Sequence, residues 1–307
     1  MVSESGIAVG VLNGSVLNEL PKHVLIAGCG YLGRRAAGRW QSIGAKVTVI
    51  TRSPAKADEL RADGIEALVG DLATGQLPSL PAADTFLWSV GLDRSSVQSR
   101  ETVWIDGLQF LLKQLPTSVR RFLYVSSTSV YGQKHGETVT ESTVSHPVTE
   151  SGSCCLRAEQ MLQQSFADRD CAESLTVLRM AGLYGPNRLL RRISDLKAGI
   201  SVPGQPDSFL NLIHIDDAVT AVVELSSLRD VSLLNVVNTD TLTRRQYYSE
   251  LARLVDLPTP EFDTASTKIR GGNKRVISEV RASLPIRFQF DQVRLGLRDA
   301  VRRTETA

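Results

Sequence analysis

Six residues near the start of the chain, Gly28-Cys29-Gly30-Tyr31-Leu32-Gly33, have the types and spacing that seat a dinucleotide. In a GxGxxG run the first glycine permits a tight turn. The second lets a pyrophosphate approach the backbone, and the third lets a helix pack closely on a strand. The phosphates then lie at a helix N-terminus, where unpaired N–H groups and the macrodipole favour negative charge. Roughly twenty residues on, where an NAD-selective site places an acid on the adenosine ribose, the sequence has Thr51-Arg52-Ser53. An arginine there suits a 2′-phosphate, because a guanidinium fork matches phosphate geometry, and Arg34 and Arg35 are candidates to assist it. The expected cofactor is NADP, with NAD the alternative.

Such a motif needs particular elements around it. His23-Val24-Leu25-Ile26-Ala27 is short, apolar and partly β-branched, and after the glycines Leu32, Ala36, Trp40 and Ile43 recur with helical spacing. This order is strand, glycine turn, helix. A second strand is expected over Lys46-Val47-Thr48-Val49-Ile50. Three further apolar runs follow: 65–69 leads into Gly70-Asp71-Leu72, 85–88 into Ser89-Val90-Gly91, and 122–125 into Ser126-Ser127. Buried-looking strands that end in small or polar residues are what a sheet opening onto a cofactor crevice requires. The pattern predicts a Rossmann-type α/β domain.

Composition excludes several other classes. Of 307 residues, 42% are hydrophobic and 22% charged, and 35 Lys+Arg against 33 Asp+Glu leave a net charge of only +2. That balance gives no electrostatic reason to expect nucleic acid or an anionic membrane as partner. The cysteines, Cys29, Cys154, Cys155 and Cys171, form neither a disulfide framework nor a zinc pattern, so a reducing cytoplasm and no metal are expected. The early apolar stretch from Gly6 to Leu12 is broken at Gly10 and Gly14, and no later run approaches about 18 apolar residues.

Val125-Ser126-Ser127-Thr128-Ser129-Val130-Tyr131-Gly132 resembles the extended short-chain dehydrogenase/reductases, the nucleotide-sugar epimerase/dehydratase superfamily. Matching segments follow in order: Arg179-Met180-Ala181-Gly182-Leu183-Tyr184-Gly185-Pro186, Asn211-Leu212-Ile213-His214-Ile215-Asp216-Asp217-Ala218, Asn235-Val236-Val237-Asn238 and Asn273-Lys274-Arg275-Val276. The resemblance thus covers about residues 22 to 302. It implies a doubly wound, mainly parallel seven-stranded sheet, with an N-terminal extension over 1–20 and an NADP-binding domain over 21–180. A mainly substrate-binding region over 181–307 would return some segments to the sheet. It also implies that Tyr31 and Leu32 belong to the phosphate turn, that Asp71 and Leu72 flank the adenine, and that Ser89, Val90 and Gly91 line the dinucleotide. Ser126 and Ser127 would approach the nicotinamide, and a small polar, sugar-like substrate would lie above it. A homodimer through helices near 98–115 and 151–166 is implied as well.

The chain departs from that family at the catalytic pair. Taking Ala158-Glu159 as the register mark, the Tyr-x-x-x-Lys positions are Ser151 and Cys155, and none of the six tyrosines has a lysine four places on. A phenol titrates near 10, and the family lysine makes it a base near neutrality. Neither serine nor cysteine supplies that fixed charge. Candidates for the chemistry are Ser127, as donor to the reacting oxygen, and Tyr131, more in a positioning role than as base, with His135 and Glu137 in the adjoining loop. Cys154 or Cys155 is considered as a reactive thiol. Arg188, Arg191 and Arg192 are candidates for a phosphorylated substrate, and Asp216 for a helix N-cap after His214. Two functions remain: an atypical NADP(H)-dependent oxidoreductase or epimerase-like enzyme, and a catalytically silent NADP(H) sensor.

Overall fold

The computed structural model describes residues 19–92, 97–167, 174–188, 190–228, 230–266 and 272–305. The expected extension over 1–20 lies outside them except for its last two residues, and Cys171 lies outside as well. The first strand, β1 (His23–Ala27), enters the glycine turn and α1 (Gly33–Ser42), and β2 (Lys46–Thr51) and α2 (Pro54–Ala62) lead to β3 (Glu66–Val69). Next come β4 (Thr85–Trp88), a π-helical turn over Thr102–Asp106 running into α3 (Gly107–Gln114), and β5 (Arg121–Ser127). The short β6 (Glu137–Val139) precedes α4 (Glu150–Ala167) and β7 (Ser174–Met180). The later chain holds β8 (Gly182–Tyr184), α5 (Leu190–Lys197), β9 (Val202–Pro203), β10 (Phe209–Leu210), β11 (Leu212–His214) and α6 (Ile215–Leu225). It ends with β12 (Leu233–Val236), β13 (Leu242–Thr243), α7 (Arg244–Leu254), β14 (Phe262–Asp263), β15 (Lys274–Val276) and α8 (Val293–Glu305).

Seven strands pair in the order β12-β7-β5-β4-β1-β2-β3, all parallel. Their apolar character follows, since a sheet covered by helices on both faces needs side chains buried on both faces. Val24, Leu25, Ile26 and Ala27 are fully buried. One core lies against α1 and α6, with Trp40 and Val222, and the other against α3 and α4, with Phe86, Phe122 and Leu162. The sheet is thus doubly wound. β12 carries the Asn235 segment back to the sheet from beyond residue 180. A third cluster, around Leu242, Tyr247, Leu251 and Leu297, packs the later helices together. Among the described residues no helix is long and apolar enough to cross a membrane.

Candidate functional site

Strand order reverses between β1 and β4, and the carboxyl ends of the strands there open a crevice. The crevice is a cleft of about 450 Å³, within the range of small-molecule and cofactor sites. Gly28 and Gly30 line one side, Asp71 and Leu72 another, and Ser89, Val90 and Gly91 the third. Arg52 belongs to the same lining. The three glycines differ in what a side chain would meet. At Gly28, where φ is +88°, a Cβ would lie 2.6 Å from the Ser89 backbone, and at Gly33 it would lie 2.2 Å from the Gly28 carbonyl oxygen. At Gly30 it would meet nothing within 4 Å, although Gly30 lines the cleft. Gly28 and Gly33 therefore serve the fold, and Gly30 borders open space in the cleft. Ser89 holds the turn by donating its hydroxyl to the Gly28 carbonyl at 2.5 Å.

Cys29 also lines the cleft, whereas the side chains of Tyr31 and Leu32 lie away from it. Leu32 is buried in the core, and the Tyr31 ring is turned towards the later chain. The Tyr31 hydroxyl donates to the Pro186 carbonyl at 2.8 Å, while the Arg35 and Arg188 guanidinium carbons stand 4.1 and 5.0 Å from the ring centre. Arg35 thus serves Tyr31, and Arg34 is paired with Glu59 at 3.6 Å and with Asp63. Neither lines the cleft with Arg52. The second cation there is Lys56, which sequence reasoning missed. It sits in the first turn of α2, whose N-cap Ser53 accepts the Lys56 backbone N–H at 3.3 Å. Its spacing of four residues from Arg52 was the available signal. Burial raises the pKa of Cys29, in the same lining, and the charges of Lys56 and Arg34 oppose that rise.

At the end of β5, neighbouring residues face opposite ways. Ser126 is buried and donates its hydroxyl to Glu159 at 2.5 Å. That side chain is committed to the interior, which corrects the expectation that it approaches the nicotinamide. Ser127 is half-buried, and its oxygen accepts the Ser129 N–H at 3.1 Å. Its proton is taken by none of the described residues. Tyr131 is 1% exposed, and its hydroxyl meets the Arg179 guanidinium at 2.8 Å and the Thr140 carbonyl and Asn235 Oδ1 at 2.9 Å each. Arg179 in turn pairs with Glu159 at 2.7 Å, both fully buried. Burial raises the Tyr131 pKa, against the pull of Arg179. The hydroxyl is thus held by interior partners, and Tyr131 is not among the residues that line the cleft.

Ser151 and Cys155 are the positions that the Ala158-Glu159 register assigns to the family pair. Ser151 is half-buried in the first turn of α4, 3.3 Å from the Thr149 hydroxyl. The Cys155 thiol is pushed up to about 12, first by burial and then by the charge of Glu159. It is a neutral thiol at physiological pH. Iodoacetamide at pH 7.5 is expected to leave Cys155 unmodified in the folded protein, as read by peptide mass spectrometry. Alkylation at the rate of a free thiol would contradict this placement. Cys154 is buried beside Glu101 and raised too, so neither cysteine meets the requirement for reactivity.

The remaining candidates are structural or exposed. His135 and Glu137 are exposed, the His135 N–H donating to the Glu137 carboxylate at 2.8 Å. Arg191 is exposed, and Arg192 lies 3.6 Å from Asp195. The N-cap of α6 is His214, whose Nδ1 accepts the Asp216 N–H at 3.3 Å, and Asp216 instead takes Arg303 at 2.6 Å. Asp216 as cap is therefore corrected by a ring that reaches the same N–H. Burial lowers the His214 pKa to about 4. His214, Asp216 and Asp299 have ligand atoms within 4.8 Å of one another, but the Arg303 guanidinium occupies both carboxylates. Arg157 grips Glu101 through two bonds of 2.7 Å, and Arg100 meets Glu150 at 2.8 Å, tying the π turn before α3 to α4.

Comparison with known proteins agrees with this geometry. The sequence profile of the NAD dependent epimerase/dehydratase family matches residues 24–233. An uncharacterised protein, y4nG of Sinorhizobium fredii, is 24% identical over 190 residues, 60% of this chain and 43% of its own length. The match thus spans less than half of that relative. A functionally unknown conserved protein from Silicibacter pomeroyi has a TM-score of 0.74 at 24% identity, with 92% of this chain and 98% of that chain covered. MoeE5, solved with UDP-glucose and NAD, has a TM-score of 0.73 at 23% identity over 92% of this chain and 99% of its own. MoeE5 has also been solved with UDP-glucuronic acid and NAD.

Proposed function

The chain belongs to the NAD dependent epimerase/dehydratase family, and from that premise we propose that it is an NADP(H)-dependent oxidoreductase or epimerase-like enzyme for a small polar metabolite, sugar-like or a nucleotide sugar. The observation that carries this reading is the cleft at the β1/β4 switch point, with Gly30 bordering its open space and Arg52 and Lys56 in its lining. Bound there, the nicotinamide would accept or deliver a hydride. Gly28 and Gly33 would hold the phosphate turn, and Asp71 and Leu72 would flank the adenine. Ser127 would donate its unshared proton to the reacting oxygen. Tyr131 would keep the loop after Ser127 in place through Arg179. With Ser151 and Cys155 unable to act as base, the proton would be exchanged with solvent or with a group of the substrate.

NADP(H) is expected to bind about tenfold or more tightly than NAD(H), since charge-assisted bonds to a 2′-phosphate are lost with it. Arg52→Ala and Lys56→Ala should each erode that preference, with NAD(H) affinity nearly unchanged. Calorimetric titration with both nucleotides reads the ratio, and a ratio untouched by both substitutions would refute the 2′-phosphate assignment. One observation favours a second reading. A neutral buried thiol at the lysine position suits a chain that binds NADP(H) as a sensor without turnover. Oxidation of NADPH against a panel of carbonyl compounds and nucleotide sugars separates the two.

A further inference from the structure

Lys274 is a buried cation with no ion-pair partner among the described residues. On β15 it shares the inward side with Val276, and it is 6% exposed. Its ammonium carries three donors. Among the described residues one acceptor meets them, the Tyr131 carbonyl oxygen at 2.6 Å. The acids near it are turned elsewhere. Glu137, its register partner on β6, is exposed and directs its carboxylate to the His135 N–H. Glu141, buried in the same region, accepts from the Asn235 N–H, the Ser278 hydroxyl and the Glu279 N–H. Burial alone acts on Lys274, lowering its pKa. A buried ammonium without counter-charge is costly to keep and is ordinarily paired.

A second polar group, on the residue two places after Tyr131, is also unmatched. Gln133 Oε1 is buried without a hydrogen-bond partner among the described residues. A Cβ on Gly272 would lie 2.0 Å from the Gln133 carbonyl oxygen, so the entry to β15 runs directly against the loop that continues from Tyr131. That loop begins at Ser127 and its 3₁₀ turn, Thr128–Val130. Spare donors on Lys274 and a spare acceptor on Gln133 thus flank one stretch of backbone, a few residues beyond the hydroxyl assigned to the reacting oxygen.

We propose that Lys274 is a substrate-binding residue that takes an anionic oxygen of the substrate, carboxylate or phosphate, while Gln133 Oε1 accepts from a neighbouring substrate hydroxyl. The assignment rests on the proposed function in one respect, that the substrate lies over the end of β5. It makes the substrate an acid, or a phosphate ester, rather than a neutral sugar.

The test is calorimetric titration of the full chain, saturated with NADPH, with UDP-glucuronic acid, UDP-glucose and inorganic pyrophosphate. At least one is expected to bind, and Lys274→Met should weaken it tenfold or more, with Lys274→Arg retaining most of the affinity. A loss confined to UDP-glucuronic acid identifies the carboxylate, and a loss shared by all three identifies the phosphate. Unchanged affinities in a folded Lys274→Met chain, or no binding of any of the three to the native chain, would overturn the proposal. If Lys274→Met does not fold, pyridoxal 5′-phosphate with borohydride trapping replaces it. Lys274 should then be labelled and protected by the ligand that binds, and absence of labelling or of protection overturns the assignment. Failure to bind NADPH would count against the proposed function alone, because the same titrations run on the chain without nucleotide.

Discussion

Replacing Gly30 by valine is expected to remove dinucleotide binding while leaving the protein folded. The two flanking glycines cannot make this distinction, because a Cβ at Gly28 or Gly33 would strike backbone at 2.6 or 2.2 Å and disturb the turn itself. At Gly30 a Cβ meets nothing within 4 Å, so the added isopropyl group projects into the cleft and takes the space of the pyrophosphate. The loss should be at least about 100-fold, roughly 2.8 kcal/mol. Calorimetry measures the affinity and thermal melting checks the fold. A folded Gly30→Val chain that binds NADPH as before would place the nucleotide elsewhere.

Ser127→Ala should lower turnover by about 10² to 10³, the usual effect of removing one donor aimed at developing negative charge. The basis is geometric: the Ser127 oxygen accepts the Ser129 N–H, while its proton has no taker among the described residues. Ser151→Ala and Cys155→Ala occupy the positions of the family pair and should change turnover little, since they remove a hydroxyl and a neutral thiol. The measurement is steady-state oxidation of NADPH with the first carbonyl substrate found to turn over. Large losses in Ser151→Ala or Cys155→Ala beside a harmless Ser127→Ala would reverse the assignment.

The glycine turn was legible in the sequence because at Gly28 and Gly33 its requirement is on the backbone, and only glycine meets it. The strands were legible because a doubly covered parallel sheet writes itself as short apolar runs, although β5 continues through Ser126 and Ser127. Which of two adjacent serines turns to the interior was not, because strand phase is set by partners such as Glu159 that lie far along the chain. The same limit explains Arg34, assigned to a phosphate but paired with Glu59 and Asp63 across the α1–α2 contact. Lys56 was overlooked since its nearness to Arg52 depends on α2 starting at Pro54. Tyr131, just after the Ser strand, was a candidate for positioning the substrate, and only the fold brings Arg179 and Asn235 to its hydroxyl.

Titration of the native chain with NADPH and with NADH tests the central claim most directly. The account predicts one NADPH per chain, bound about tenfold or more tightly than NADH. Equal affinities would contradict the assignment of Arg52 and Lys56, and no binding of either nucleotide would contradict the dinucleotide site itself.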